Sequence, residues 1–505
     1  MLPDIDHSAP ARVDADADDA DADDANADDA NADDANADDA NADDANADDA
    51  NADDANADDA NAAHVAAVTT ADEVSDEGDA RGRAGHWRRW ARLAALDLGP
   101  LRRHRDFRLL YAGQAASFFG NMITYVAVPY QVYQLTHSSL AVGLLGLAEL
   151  VPLLLFAFIG GALADARDRR QMVQMTELSL AAMSLLLALN ALLPCPHLWA
   201  LYVVVAAMAG LDALQRPSLD ALLPRLVERD ELIAAGALSS LRTTAGMVAG
   251  PPLGGVLVAT VGLPGAYVVD VATFAVSLAA LRLMRAVPPP PDAERPSLRR
   301  VVEGLRYARS RPELMGTYLV DIVAMFFGMP TALFPALAPH YGGPGVLGLL
   351  YAAPSVGALL ATATSGWANR VHRHGRAVIL AAGAWGVAIT LFGLAPTLPL
   401  ALFFLAGAGA ADMVSGLFRG RIWNGTIPDA LRGRLASIEL LSYSSGPALG
   451  NVESGLVATL AGVRQSVASG GILCVIGVAL LAMALPRFRQ YDDRVHDLQK
   501  PSADR

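Results

Sequence analysis

The sequence predicts an all-α membrane protein of twelve transmembrane helices arranged as two pseudo-symmetric six-helix halves. Three observations carry that prediction. From Phe107 onward, apolar stretches alternate with short hinges rich in Gly, Pro and Arg, each stretch near or above the roughly 20 residues a helix needs to cross a bilayer. The Arg residues concentrate in every second hinge. One long Pro- and Arg-rich connection divides the stretches six and six.

The chain opens differently. Within residues 1–75, the pentapeptide Asn-Ala-Asp-Asp-Ala repeats seven times from Asn26 to Ala60. Residues 1–62 hold 23 Asp against one Arg, so the whole-chain net charge of −15 leaves residues 63–505 at +7. Dense like charge without large apolar side chains cannot offset the entropy of ordering, so this acidic tail is expected to be disordered. A basic lead-in follows at 76–106. Residues 1–106 contain no apolar run long enough for a secretory signal, so the first membrane helix is expected to direct insertion. Cys195 and Cys474 lie about 280 residues apart, which excludes a disulfide framework and cysteine metal ligation.

The first six-helix bundle is expected over 107–285, with spans at 108–133, 140–164, 172–193, 198–221, 235–260 and 264–285. A linker at 286–312 begins with the run Pro288 to Pro291. In it Leu298, Val301, Val302 and Leu305 recur at helical spacing, which predicts an amphipathic helix lying on the membrane surface. The second bundle covers 313–486, with spans at 313–338, 345–368, 376–395, 398–420, 437–461 and 465–486, and a tail at 487–505 closes the chain. Arg102, Arg103, Arg105, Arg108, Arg167, Arg169, Arg170, Arg225 and Arg229 fall on one side, with the Arg residues of the linker and of later alternate loops. The opposite hinges hold Arg464 alone. Positive charge marks the cytoplasmic side, so both termini are expected there. Gly161 is echoed by Gly366 and Asp212 by Asp412 at separations of 205 and 200 residues, as duplicated halves require.

Two motifs stand out. Between spans two and three, Gly160-Gly-Ala-Leu-Ala-Asp-Ala-Arg-Asp-Arg-Arg places Gly161, Leu163, Asp165, Arg169 and Arg170 in a spacing that resembles the loop signature of the major facilitator superfamily. Gly161 allows close packing at a helix end, Asp165 can pair with cations or a helix N-terminus, and the arginines hold the loop at the charged surface. The resemblance implies a gating latch that stabilises one of two access states. Its second-half counterpart reads Gly366-Trp-Ala-Asn-Arg, with Asn369 near the acid's place, so a contact there rests on Arg370 or on neutral hydrogen bonds. In span five, Gly246-Met-Val-Ala-Gly-Pro-Pro-Leu-Gly-Gly sets Gly246, Gly250 and Gly254 on one face beside Pro251, Pro252 and Gly255. Small residues at that spacing admit a close partner helix, and the prolines are expected to bend the span. This run resembles the superfamily's antiporter signature, which implies proton-coupled export.

Acids within membrane spans are costly and are retained for ion pathways or pairs. Glu149, Asp321 and Asp412 are the candidate proton carriers; Asp212, Asp270 and Glu453 also lie within spans. Arg216 follows Asp212 by four residues, a candidate charge pair, and Arg419 follows Asp412 by seven, on a similar face. The family resemblance implies that spans one, four, seven and ten line a cavity, placing Asp321 and Asp412 along it. In span one, Asn121 and Tyr125 stand among aromatic rings and form a candidate surface for a polar aromatic solute.

From about Leu101 to Gln490 the chain resembles the enterobactin-exporter branch of bacterial efflux transporters, through Thr136-His-Ser-Ser, Asn190-Ala-Leu-Leu-Pro, the Pro288 to Pro291 run, Leu349-Leu-Tyr-Ala-Ala-Pro, Thr364-Ser-Gly and Arg487-Phe-Arg-Gln. The resemblance implies proton-driven export of a catecholate siderophore from cytoplasm to periplasm. Related branches move macrolides and other drugs, and a membrane sensor or scaffold that does not transport is a third reading. No Gly-rich phosphate loop with a following Lys-Ser or Lys-Thr occurs, which argues against ATP hydrolysis by this chain. Expected partners are a small-molecule substrate, protons and the lipid bilayer of a bacterial inner membrane. No enzymatic centre, cofactor, metal or nucleic acid is expected.

Overall fold

Helix ends fall where the backbone loses a donor or must turn. The computed structural model describes residues 97–166, 168–285 and 306–494; of 157–166 and of 429, 430, 432–434, 436 and 437 it describes the backbone. The acidic repeat, the lead-in up to residue 96, the linker from 286 to 305 with its expected surface helix, and 495–505 lie outside the described residues.

The first group of helices comprises α1 (Arg105–Thr136), α2 (Ser139–Ala166), α3 (Arg169–Leu192), α4 (Leu198–Leu226), α5 (Leu232–Thr260) and α6 (Gly262–Leu283). The second comprises α7 (Pro312–Gly328), α8 (Pro344–Ala363), α9 (His374–Leu394), α10 (Leu398–Thr426), α11 (Asp429–Ala461) and α12 (Val463–Ala484). The short α1–α2 hinge turns at His137, held at φ 49°. Expected boundaries hold to within a few residues for most spans. Span seven differs. It breaks after Gly328, passes through a 3-10 turn at Thr331–Leu333 and resumes as a short helix, Phe334–Tyr341. Pro330 supplies no N–H and pushes Met329 out of the helical region, to φ −99° and ψ 100°. By contrast α5 runs unbroken through Pro251 and Pro252.

Ten helices among the described residues, α2–α10 and α12, are long and apolar enough to cross a membrane. The outer surface carries large apolar side chains such as Leu460, Leu380, Phe403 and Trp199 in the open, a surface suited to acyl chains rather than water. In α1 and α11 the apolar run is diluted by polar residues. Gln114, Ser117, Thr124 and Gln131 of α1 and Ser442 and Ser454 of α11 are all buried, so the dilution faces inward.

Buried apolar side chains gather into separate clusters. The largest draws on residues from Ala308 onward, with Val126 of α1 added. Another draws on α1–α6, with Ala332 added. Beyond α12, the short helix Pro486–Arg489 turns back, and its Phe488 is fully buried against Gly316 of α7 and Gly375 of α9. Asp493 then receives His372 Nδ1 at 3.1 Å.

Candidate functional site

A cavity of about 300 Å³ lies where α1, α2, α4, α8 and α11 converge. Asn121 and Tyr125 of α1, Glu149 of α2, Asp212 of α4, Tyr351 of α8 and Asn451 of α11 line it, and among the described residues no Lys, Arg or His does. Tyr125 meets Tyr351 edge to face with ring centroids 5.1 Å apart, the geometry that aromatic quadrupoles favour. The Tyr351 hydroxyl donates to the Thr331 carbonyl at 3.2 Å, and Asn451 Oδ1 accepts from Thr331 Oγ1 at 2.7 Å and from the Ala332 N–H at 3.0 Å. The break in span seven therefore frees backbone groups that fix one wall of the cavity.

That wall adjoins a seam in which α2 packs on α11 and α5 on α8. Helix axes approach closely because glycines face carbonyls. A Cβ on Gly348 would stand 2.1 Å from the Pro251 carbonyl oxygen, and one on Gly143 would stand 2.2 Å from that of Asn451. The expected small-residue face of α5 is used in full. Gly246, Gly250 and Gly254 lie against Phe118, Met122 and Ile123 of α1, while Gly255 faces Gly348. These contacts lie at the ends of α2, α5, α8 and α11 that adjoin the Arg-poor hinges.

Asp321 and Asp412 converge on a single cation. Arg419 of α10 pairs directly with Asp321 of α7, and its Nη2 stands 3.7 Å from Asp412 Oδ1. Asp321 is buried, whereas the Asp412 side chain is 44% exposed. The anticipated pair of Asp212 with Arg216 makes no direct contact, although the two charges act on each other. Among the described residues no ion pair joins them, and both are exposed. Arg216 therefore acts on Asp212 through space rather than by contact, and Asp212 stands with Glu149 on the cavity wall.

At the Arg-rich end, Asp168 caps α3 by accepting from the N–H groups of Arg170 at 2.9 Å and Gln171 at 3.2 Å. Arg169 Nη1 donates to the Ala221 carbonyl in the last turns of α4 at 3.0 Å. Arg170 donates to the Leu281 and Arg282 carbonyls of α6 at 2.7 and 2.9 Å. Both guanidiniums thus satisfy carbonyls where helices end and the dipole favours a cation. Gly161 and Asp165 lie in α2, and their surroundings fall outside the described residues. In the counterpart loop, Asn369 accepts from Arg421, whose Nη1 also donates to the Ala368 carbonyl at 3.1 Å; Arg421 takes the place expected of Arg370.

A profile of transmembrane secretion effectors matches residues 95–504. The chain belongs to this family of major facilitators. The chain is 32% identical over 404 residues to the enterobactin exporter EntS of Escherichia coli O1:K1, an alignment covering 79% of this chain and 97% of that protein. The same figures hold for the enterobactin exporter EntS of Shigella boydii serotype 18. Among solved structures, the nucleoside transporter NupG superposes with a TM-score of 0.62 at 12% identity, covering 77% of this chain and all of that one. A bacterial homologue of the iron transporter ferroportin gives 0.60 at 16%, covering 76% and 98%. At such identities the likeness speaks to the fold, a multi-pass bundle of membrane helices.

Two carboxylates inside the first helix group form polar knots of their own. Asp270 Oδ2 of α6 accepts from Thr124 Oγ1 of α1 and Ser184 Oγ of α3, both at 2.6 Å. Glu177 of α3 is 1% exposed and was not among the sequence-derived candidates. It lies two turns into its span, where an acid reads as part of the charged surface, and what buries it comes from α1, α4 and α6.

Proposed function

We propose that this chain is a secondary active exporter of the bacterial inner membrane that carries a catecholate siderophore of the enterobactin kind from cytoplasm to periplasm in exchange for protons. The observation that carries the reading is 32% identity across 97% of an enterobactin exporter. The chemistry of the central cavity supports it. Phenols and amides flank two carboxylates, and among the described residues no cation lines the wall. Iron-free catechols are neutral hydrogen-bond donors that stack on tyrosine faces and donate to Glu149 and Asp212, whereas an anionic iron complex would meet like charge.

In this reading α1 and α11 also cross the bilayer, completing twelve spans in two six-helix bundles, with the Arg-rich loops and both termini in the cytoplasm. The bundles rock about the cavity. The glycine seam closes the periplasmic side, and the loop at Arg169 and Arg170 holds the opposite mouth in the alternate state. Glu149, Asp321 and Asp412 exchange protons, Arg419 releasing its acids as substrate and proton trade places. Each proton entering down the membrane potential supplies about 2.3 kcal/mol per 100 mV, which is enough for modest accumulation.

A deletion strain grown under iron limitation, with catechols in the medium profiled against wild type, tests the reading. Secretion is expected to fall and intracellular siderophore to rise. Undiminished secretion, with a drug or macrolide retained instead, would replace the siderophore by a xenobiotic. Glu149→Gln, Asp321→Asn and Asp412→Asn, assayed in proteoliposomes under an imposed pH gradient, are each expected to blunt proton-driven flux while leaving downhill exchange. Full coupling in all three overturns the assignment of carriers.

A further inference from the structure

We propose that Glu177 is a proton-exchanging site inside the first helix group, supplied with water from the Arg-rich face through a second pocket and separate from the acids of the central cavity. Its Oε1 accepts three hydrogen bonds from neutral groups: Gln114 Nε2 at 2.8 Å and Ser117 Oγ at 3.2 Å on α1, and Gln215 Nε2 at 2.9 Å on α4. Its Oε2 is buried without a partner among the described residues. Ser277 Oγ of α6 faces it, near enough to interact but outside ordinary hydrogen-bond geometry.

The titratable and charged groups facing Glu177 are Asp212 on α4, Asp270 on α6 and, through space, Arg242 on α5; α1 presents to it the neutral Gln114 amide and Ser117 hydroxyl. No cation stands within ion-pair distance of Glu177 among the described residues. Both charge states nonetheless find partners. As a carboxylate, Glu177 has three donors on one oxygen. As an acid, it directs its new O–H from Oε2 to Ser277 Oγ, an acceptor otherwise idle. The carboxylate holds three donors on Oε1 but leaves Oε2 and Ser277 Oγ unbonded, and protonation pairs those two; a buried group whose two protonation states are each partly satisfied is suited to exchange.

Access comes from the side away from the central cavity. Gln114 also lines a pocket of about 270 Å³ between α1, α4 and α5, with Tyr111, Asp220, Ser239 and Arg242. Phe107, Leu110, Leu219 and Leu223 complete its wall, its polar groups are suited to holding water, and the Gln114 amide links this pocket to Glu177 Oε1. When the amide swings away, a pocket water takes its place on Oε1. A hydronium ion there transfers its proton to the carboxylate: one O–H bond forms, one breaks, and neutral water is left. On the far side Gln215 lies three residues along α4 from Asp212. Glu177 is therefore interposed between the inner pocket and the central cavity. The proposal rests on the proton-exchange reading above and names a carrier for it.

Infrared difference spectra of the full-length protein in detergent, taken between acid and alkaline buffers without substrate, test this directly. A carboxylic acid C=O band lost on raising the pH is expected in wild type, absent in Glu177→Gln and displaced in Glu177→Asp. In D2O, the deuterium shift of that band is expected to slow at least several-fold in Ser239→Phe, which fills the pocket without touching the Glu177 hydrogen bonds, and to quicken in Gln114→Ala. An unchanged spectrum in folded Glu177→Gln, or deuterium exchange indifferent to Ser239→Phe, overturns the proposal. A titrating Glu177 in a protein whose flux ignores pH would sink the antiport reading and leave this site standing.

Discussion

Arg419 holds two carboxylates with one guanidinium, and the consequence is asymmetric. Removing the cation strands Asp321 in a buried position, whereas removing both partners strands nothing. Arg419→Ala is expected to cost about 3–5 kcal/mol, read as a lowered Tm in detergent. The double variant Arg419→Gln with Asp321→Asn is expected to recover most of that loss. A double variant no more stable than the single one would show that the pair is not what supports the helix contact. The Asp412–Arg419 relation was legible because seven residues return to one helix face. That Asp321 is the nearer partner was not, since it comes from α7. Asp212 and Arg216 gave the same local signal without closing to contact, because local spacing permits a contact and does not require it. Glu177 was missed for the complementary reason: all three donors to Oε1 come from other helices.

At the scale of single elements, α5 and α8 show how a small-residue pattern becomes an approach distance. Gly348 faces the Pro251 carbonyl with no room for a methyl group, so Gly348→Val is expected to pry the seam apart. In a chain carrying Cys195→Ser and Tyr351→Cys, a membrane-impermeant maleimide added from the Arg-poor side is expected to label position 351 several-fold faster once Gly348→Val is present. Equal labelling would mean that α5 and α8 do not govern access. The face of Gly246, Gly250 and Gly254 was readable from its period of four, though its partner, α1, was not. Span seven misled for a physical reason: the apolar run continues through Met329-Pro330 and hydropathy does not sense a missing N–H. The turn that Pro330 forces frees the backbone of Thr331 and Ala332 to meet Asn451, so a break in the element builds a wall of the site.

For the whole molecule, charge placement argues the topology. An alkaline phosphatase fusion after Pro194 is expected to be active and one after Pro291 inactive; the reverse result would invert the chain. Deleting residues 1–75 is expected to leave insertion and flux unchanged, since the acidic repeat shares no composition with the helical bundle; lost flux at normal membrane levels would give the tail a part in transport. The all-helical membrane character was plain in the sequence because apolar length and Arg bias are one-dimensional signals. The convergence of α1, α2, α4, α8 and α11 on one cavity was not, because it depends on which helices touch. Among the described residues no ion pair bridges α2 to α11 or α5 to α8; those seams are glycine against carbonyl, with Asn451 bonded nearby. Such contacts carry no net charge to screen. In the proposed export cycle, a cell moved from dilute pond water to brine would therefore keep this outer door shut with the same firmness, where a door hung on exposed salt bridges would loosen as the brine thickened.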